Sequence, residues 1–316
     1  MKGVFVETLL QLAEQDSKLI VLTADLGYGM FEPFVERFPR QYLNVGVAEQ
    51  NMMGVAAGLA LDGRTVFTYS IANFPTLRCL EQIRNDVCYH GANVKVVAIG
   101  AGFSYGPLGF SHHATEDLGI LRSLPEMTVL SPGDDWEAAE CTKAAARHVG
   151  PCYVRLDKGS VVGVRQSDEP FAIGRARRLR EGRDATLVAT GSILPVVLDA
   201  ADRLARNGLE CRVLSMPTVK PLDIEALADA AEDTGGIFTV EEHTIDGGLG
   251  GAVAENLLEY GAVPRVFHRF GLRGGFATLV GSQAYLRKAY QLDAESIAQE
   301  VPARLAKRRP RLSIAA

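Results

Sequence analysis

Short apolar runs alternate along this chain with longer segments in which apolar residues recur every three or four positions. Runs of strand length lie at 19–22, 65–68, 94–99, 128–130 and 153–156, and segments with the helical period lie at 4–15, 49–61, 77–89 and 135–148. Strands that alternate with helices are typical of a parallel sheet covered on both faces. The pattern therefore predicts an α/β fold.

The alternation is interrupted once and then resumes. Residues 163–184 are rich in arginine and carry no long periodic run. After them, strands are predicted at 185–189, 211–214, 236–240 and 263–267, and helices at 193–207, 224–233 and 250–260. We therefore predict two doubly wound domains, at 1–165 and 185–316, joined by a linker at 166–184.

Composition and charge exclude several classes of protein. Hydrophobic residues make up 47% and charged residues 22% of the 316, as in ordinary globular proteins. The net charge of -5 argues against a nucleic-acid-binding surface. There is no apolar stretch of about 20 residues, so we expect no membrane span. The basic run 307–311 is interpreted as a solvated tail.

The cysteines and the first residues bear on the compartment. Five cysteines form no Cys-x-x-Cys pair, and unbridged thiols are typical of a reducing environment. The segment 1–12 contains Glu7 and Gln11 and lacks the apolar stretch of a signal peptide. We expect a soluble, cytoplasmic protein.

The segment 44–60 contains the first candidate for chemistry. Glu49 lies at the predicted start of a nearly uncharged helix, in which Gly54 and Gly58 are one turn apart. Each glycine costs the helix about 1 kcal/mol relative to alanine, which a close approach of another backbone would offset. Glu49 could simply complement the helix dipole. Alternatively, it is a buried carboxyl group with a proton to share.

The wording of this segment favours the second interpretation. Val45-Gly46-Val47-Ala48-Glu49-Gln50-Asn51-Met52, followed by Gly-Val-Ala-Ala-Gly-Leu-Ala, resembles the pyrimidine-domain signature of the transketolase family and its deoxyxylulose-phosphate synthase relatives. The resemblance extends over nearly the whole chain. It implies that thiamine diphosphate is the cofactor. It also implies that Glu49 is catalytic and hydrogen-bonds a ring nitrogen of the cofactor's aminopyrimidine.

A second block, 69–78, is similar to the family's aromatic platform. Phe74 falls on a position that stacks on the pyrimidine, whereas Ile71 and Leu77 fall where other members often have aromatic residues. Without the resemblance, Phe74 would be interpreted as a core residue. Asp25 matches an aspartate that the family places near the cofactor at a subunit interface, although a turn aspartate at a strand end is equally consistent.

A loop rich in glycine follows the predicted strand 94–99. Its segment 109–113 is similar to the family's Gly-x-Thr-His-Gln run, which implies that His112 is catalytic and lies near substrate oxygens. His113 is a weaker substrate-binding candidate. No third ligand accompanies the two histidines, so no metal site is predicted. Arg155 and Lys158 are further candidates for substrate contacts.

The chain departs from the family at several polar positions. Lys2 replaces an arginine, Gly29 a serine and Gly100 a histidine, and Leu108 stands where many members have an aspartate. These side chains bind a sugar phosphate in the family. Our hypothesis is an altered or less polar ketose substrate.

The diphosphate-binding half of such enzymes is missing. The chain has no Gly-Asp-Gly run followed by an asparagine about 25 residues later, the family's site for Mg²⁺ and the diphosphate. The resemblance therefore implies a diphosphate-binding partner subunit that holds the Mg²⁺, in an α2β2 heterotetramer. The second domain resembles the family's C-terminal domain and is interpreted as support.

Four functions remain open on the sequence alone. The first is transfer of a two-carbon ketol unit from a ketose to an aldehyde. The second is decarboxylating condensation of pyruvate with an aldehyde, and the third is the β subunit of a 2-oxoacid dehydrogenase. The fourth is a scaffold without catalysis, which the presence of both Glu49 and His112 disfavours.

Overall fold

The computed structural model describes residues 1–162 and 170–307 and contains two sheets. The first sheet has seven strands in the order β10-β5-β6-β4-β3-β1-β2. All neighbours in it are parallel except β10, which runs antiparallel to β5. Its strands are β1 (Leu19–Thr23), β2 (Tyr42–Asn44), β3 (Thr65–Ile71), β4 (Val94–Ile99), β5 (Thr128–Leu130), β6 (Cys152–Leu156) and β10 (Thr218–Lys220).

The second sheet has five strands in the order β12-β11-β8-β9-β7, with β7 antiparallel to β9 and the rest parallel. Its strands are β7 (Arg177–Arg180), β8 (Ala185–Ala189), β9 (Cys211–Ser215), β11 (Ile237–Thr244) and β12 (Phe267–Leu272). Both sheets thus have the parallel, helix-covered architecture that the alternating pattern predicts.

Helices cover both sheets. In the first unit they are α1 (Lys2–Gln15), α2 (Glu32–Arg37), α3 (Glu49–Leu61), α4 (Leu80–Gln82), α5 (Asp117–Ser123) and α6 (Asp135–Arg147). In the second they are α7 (Leu194–Arg206), α8 (Ile224–Asp233), α9 (Leu249–Tyr260), α10 (Gln283–Ala289) and α11 (Ala294–Ala306). None of the described helices is long and apolar enough to cross a membrane.

The division into two units is less clean in three dimensions than in the sequence. The predicted linker contains β7, an edge strand of the second sheet, and the predicted second domain contributes β10 to the first sheet. β7 is rich in arginine because an edge strand needs little apolar surface. The predicted boundary at 165/166 and the basic tail from 308 onward lie outside the described residues.

The prediction of a last strand at 263–267 is wrong. The strand is β12, at Phe267–Leu272, and it contains His268, Arg269 and Gly271. These residues broke the apolar pattern that signals a buried strand. They are tolerated because β12 is at the edge of the second sheet, where one side of the strand is not packed against another strand.

A buried polar network joins the two units. Arg155 on β6 forms an ion pair with Asp117, with 2.7 Å from Nε to Oδ2, and its Nη2 donates to the backbone oxygen of Glu242 on β11. Glu242 Oε2 in turn accepts from the backbone N–H of Phe103. Asp157 accepts hydrogen bonds from Ser192 and from other residues at the same boundary. The C-terminal unit therefore fixes the position of the loop that follows β4.

Candidate active site

The candidate residues collect at the carboxyl ends of the parallel strands of the first sheet. Asp25 follows β1, Phe74 follows β3, His112 lies in the loop after β4, and Lys158 follows β6. Glu49 begins α3, after β2. Ligands of open α/β sheets bind at this edge because the loops that follow the strands converge there.

Glu49 is a buried carboxyl group with a single charged partner among the described residues. Its side chain is only 3% exposed, yet it begins a helix whose N-terminus favours negative charge. Oε2 lies 2.8 Å from Nη1 of Arg78, and Oε1 lies 3.5 Å from the hydroxyl of Ser70 at the end of β3. The Arg78 side chain is 46% exposed, so it covers the carboxyl group on the solvent side.

Phe74 connects Glu49 to the histidine loop. The guanidinium of Arg78 lies over the Phe74 ring, 4.5 Å from its centroid. The imidazole of His112 meets the same ring edge-on, at 5.3 Å and 70°. Glu49, Arg78, Phe74 and His112 therefore form one continuous row of contacts.

His112 is partly buried and faces this row. Its Nδ1 lies 3.0 Å from the Ser111 hydroxyl. Burial, followed by repulsion from His113, lowers the pKa of His112 below its ordinary value of 6.5. Asn73 holds the loop by donating to the backbone oxygen of His113 at 3.0 Å. The imidazole is thus predominantly neutral at pH 7.

His113 faces the opposite way from His112. It is 2% exposed, its Nε2 lies 3.2 Å from the backbone oxygen of Gly106, and its ring packs against Phe103. Neighbouring residues in an extended loop diverge, so the two imidazoles cannot serve one substrate oxygen together. His113 anchors the loop from inside.

Arg155 and Lys158 also have different surroundings. Arg155 is 2% exposed and is held by Asp117 inside the boundary between the two units, away from the row of contacts. Burial alone would raise the pKa of Asp117, but the charges of Arg155 and His243 outweigh burial and lower it. Lys158 is exposed, and its ammonium group lies 5.0 Å from the centre of the Tyr105 ring.

The remaining candidates flank the row. Ile71 is half-buried at the end of β3, and Leu77 lines a cavity of about 220 Å³ with Asn73 and Phe110. Asp25 lies further along the sheet edge, where its Oδ1 accepts from the Tyr28 hydroxyl at 2.6 Å. That hydrogen bond, and a second one from Asn44, lower the pKa of Asp25.

Two residues of the site were missed from the sequence. Arg78 was passed over because an exposed arginine after an aromatic block carries no distinctive signal. Tyr105 lies 6.2 Å from His112 and fills the space beside Gly100, where an added Cβ would lie 2.5 Å from the tyrosine ring. Gly100, at φ +110°, was noted as a departure from the family, and that missing side chain was the one clue to Tyr105.

Two family models match the chain. Residues 1–162 match the transketolase pyrimidine-binding domain, and residues 174–297 match the transketolase C-terminal domain. Since the first of these domains takes its name from the cofactor ring that it binds, the match implies use of thiamine diphosphate.

Relatives of similar length carry the same two domains. One of the two subunits of apulose-4-phosphate transketolase from Actinobacillus succinogenes is 37% identical, with 94% of this chain and 96% of the relative covered. The 6-deoxy-6-sulfo-D-fructose transketolase subunit SqwH of Clostridium sp. strain MSTE9 is 38% identical over 94% and 92%. The chain spans about half the length of 1-deoxy-D-xylulose-5-phosphate synthase of Heliobacterium modesticaldum, with 37% identity.

A solved structure has the same architecture over the whole chain. It is a split-gene transketolase in an inactive β4 tetramer, 38% identical, with a TM-score of 0.87 and coverage of 97% of this chain and 98% of that one. A full-length transketolase from Campylobacter jejuni shares the fold at a TM-score of 0.77 and 18% identity. This chain therefore belongs to the transketolase family, as a transferase subunit of the split type that carries the pyrimidine-binding and C-terminal domains.

Proposed function

We propose that this subunit contributes the pyrimidine-contacting acid and the substrate-facing histidine to transfer of a two-carbon ketol unit from a ketose to an aldehyde. The observation that supports this most is the continuous row of Glu49, Arg78, Phe74 and His112 at the carboxyl edge of the sheet. It combines a buried acid, an aromatic face and a neutral imidazole.

The residues present fit an aminopyrimidine. Glu49 offers a carboxyl oxygen inside an apolar surrounding, and Phe74 offers a ring face beside it. Aromatic stacking contributes about 0.5–1.5 kcal/mol beyond the burial of the rings. Thiamine diphosphate, when bound, supplies the carbanion chemistry that breaks and forms the carbon–carbon bond.

Glu49 would hold the pyrimidine by a hydrogen bond to a ring nitrogen. A hydrogen bond from a nearly inaccessible carboxyl group is stronger than one in water, because the local dielectric is low. Position matters as much as strength here. The start of α3 and the end of β3 are both rigid elements, so the carboxyl group is held in one orientation.

His112 would act on the substrate as a neutral hydrogen-bond donor. If the Ser111 hydroxyl donates to Nδ1, the ring proton is on Nε2. Nε2–H can then donate to an oxygen that gains negative charge during the reaction. The contacts of the ring with Phe74 and Tyr105 restrict its rotation.

The substrate end of the site differs from that of other transketolases. Tyr105 fills the space beside Gly100, Leu108 is 56% exposed, and Lys158 is the exposed cation next to Tyr105. Two relatives are named for different anionic ketoses, apulose 4-phosphate and a sulfofructose. We propose an altered ketose whose single anionic end meets Lys158. Arg155 and His113 would support the site without touching the substrate.

The diphosphate and its Mg²⁺ would be held by a partner subunit in an α2β2 assembly. Among residues 1–162 and 170–307 there is no group of three or more histidine, cysteine or acidic side chains placed to bind a metal. Gly54 and Gly58 are on α3, with no atom of the described chain within 4 Å of an added Cβ. Such a smooth face, at the start of which Glu49 lies, would allow close approach of another chain.

A second candidate is decarboxylating condensation, because synthase relatives reach 37% identity over 94% of this chain. Product analysis separates the two functions. The subunit would be co-expressed with a diphosphate-binding partner and supplied with a ketose and an aldehyde, or with pyruvate and an aldehyde. Ketol exchange without carbon dioxide supports the proposal, and carbon dioxide release overturns it.

A further inference from the structure

The C-terminal unit contains a cavity of about 540 Å³ on residues that take no part in the candidate active site. Small-molecule sites in proteins have volumes of about 300–1,000 Å³. The cavity is lined by six consecutive residues, 268–273, together with residues of α11 and of the segment before it. Consecutive strand residues point to opposite faces, so a cavity lined by all of them runs along the free edge of β12.

The cavity has a strong excess of positive charge. Arg269, Arg273 and Arg304 line it, whereas Glu300 is the one acidic side chain in its described lining. Arg304 Nε is bonded to Glu300, which offsets one of the three charges. Like charges in one cavity repel each other, and a bound anion would relieve that repulsion.

His268 reports the sign of this field. Its ring is packed edge-on against Phe270 at 4.7 Å, inside the ring of charged side chains. Burial, then Arg304, Arg273 and Arg269, lower the pKa of His268 to about 4, with Glu300 acting in the opposite direction. The positive charges therefore outweigh Glu300 at the position of the imidazole.

The arginines keep hydrogen-bond donors free for a ligand. Arg269 uses Nη1 to bind the backbone oxygen of Ile245, and Arg273 uses Nη2 to bind the backbone oxygen of Arg269. A guanidinium group has five N–H donors, so these bonds occupy a minority of them. The planar fork of donors matches the oxygens of a phosphate group.

We propose that this cavity binds a small phosphate monoester. Arg269, Arg273 and Arg304 would contact the phosphate, and the side chains of Gln291 and Gln299 in the same lining would contact hydroxyl groups. The volume suits a metabolite of a few carbon atoms carrying one phosphate. The site is separate from the ketol-transfer site, so the proposal does not depend on the reaction assigned to that site.

The test is a titration of the whole subunit, followed by NMR of the His268 ring. Inorganic phosphate and glycerol 3-phosphate are the probes, and glycerol and sodium chloride at matched ionic strength are the controls. We expect a saturable shift of the His268 signals with a Kd below about 1 mM, the usual range of metabolite affinities. Bound anion favours the imidazolium, so the pKa of His268 should rise.

Variants then locate the binding. The double variant Arg269→Gln, Arg304→Gln should weaken binding of glycerol 3-phosphate by about tenfold or more, since two charge-assisted hydrogen-bond partners are lost. Arg206→Gln removes one charge from the last turn of α7 in the same unit and should leave the Kd unchanged. Equal weakening in both variants would mean general charge attraction and would overturn the proposal.

The wild-type titration decides the matter even where the double variant fails to fold. A His268 signal that does not saturate, or that responds equally to chloride, overturns the proposal.

Discussion

Nη1 of Arg78 lies 2.8 Å from Oε2 of Glu49, while the same guanidinium covers the ring of Phe74. These are the two contacts that we propose for the cofactor's aminopyrimidine, a hydrogen bond to the acid and a stack on the ring. Only one planar group can make them at a time. Arg78 and the pyrimidine should therefore compete for the same position.

This competition predicts that Arg78→Met tightens cofactor binding to the subunit assembled with its partner. An exposed ion pair and a cation–π contact together stabilise the Arg78 position by about 1–2 kcal/mol, so the Kd should fall about tenfold. Isothermal titration calorimetry with thiamine diphosphate measures this. Arg84→Met, an exposed arginine of the same segment, is the matched control. Weaker binding in the Arg78 variant would show that Arg78 assists the cofactor.

Replacing the buried acid should abolish turnover without unfolding the protein. Glu49→Gln keeps the size of the side chain but removes its acid–base function, which contributes about 10²–10⁴-fold to the rate in such roles. Ketol transfer is measured with the partner subunit present, and the melting temperature is measured on the same sample. Glu14→Gln, at a 64% exposed position, serves as the control. Normal turnover in Glu49→Gln would end the assignment.

The pH dependence should follow the neutral form of His112. Its pKa is lowered from 6.5, so the imidazole stays neutral from pH 8 down to below 6.5. We expect kcat/KM to be flat in that range and to fall only in more acidic buffer. His112→Asn should lower the plateau and remove this acidic limb. A rate that rises on acidification below pH 6.5 would instead indicate that the imidazolium is the active form.

The buried pair between the two units should matter for stability rather than for chemistry. Arg155→Met leaves Asp117 as an uncompensated buried charge, which typically costs about 3–5 kcal/mol. Urea unfolding measures the loss. Arg203→Met breaks an exposed pair with Asp199 on α7 and should cost less than about 1 kcal/mol.

The same pair has a pH signature. The folded-state pKa of Asp117 lies below 3.8, so its contribution to the free energy of unfolding is fully present above that ordinary value. The contribution should be lost as the pH falls through the lowered pKa. Arg155→Met should remove this part of the pH dependence. An unchanged acid-unfolding profile in the variant would contradict it.

Lys158 should affect the affinity for substrate more than the rate of the reaction. If it binds the anionic end of the ketose, Lys158→Met raises KM for an anionic ketose and leaves that for its neutral analogue unchanged. Xylulose 5-phosphate and an unphosphorylated ketose are suitable donors. The same increase in KM for both donors would show that Lys158 acts on the loop and not on charge.

The amino-acid sequence determined the class of fold and the positions of the central strands. β1, β4, β6 and β8 are short runs of buried residues, and a fully buried strand must be apolar along most of its length. Glu49 and His112 could be found from the words around them, because a short, uncharged helix start and a glycine-rich loop leave few alternatives.

The tertiary structure alone decided which side chains meet. Arg78, Phe74 and His112 are separated along the chain, and nothing local indicates that one guanidinium covers both an acid and a ring. The same holds for β10, which leaves its own unit to complete the first sheet, and for Arg155, whose partner lies in another element. Local patterns report burial and period, whereas pairing over long distances depends on how whole elements pack.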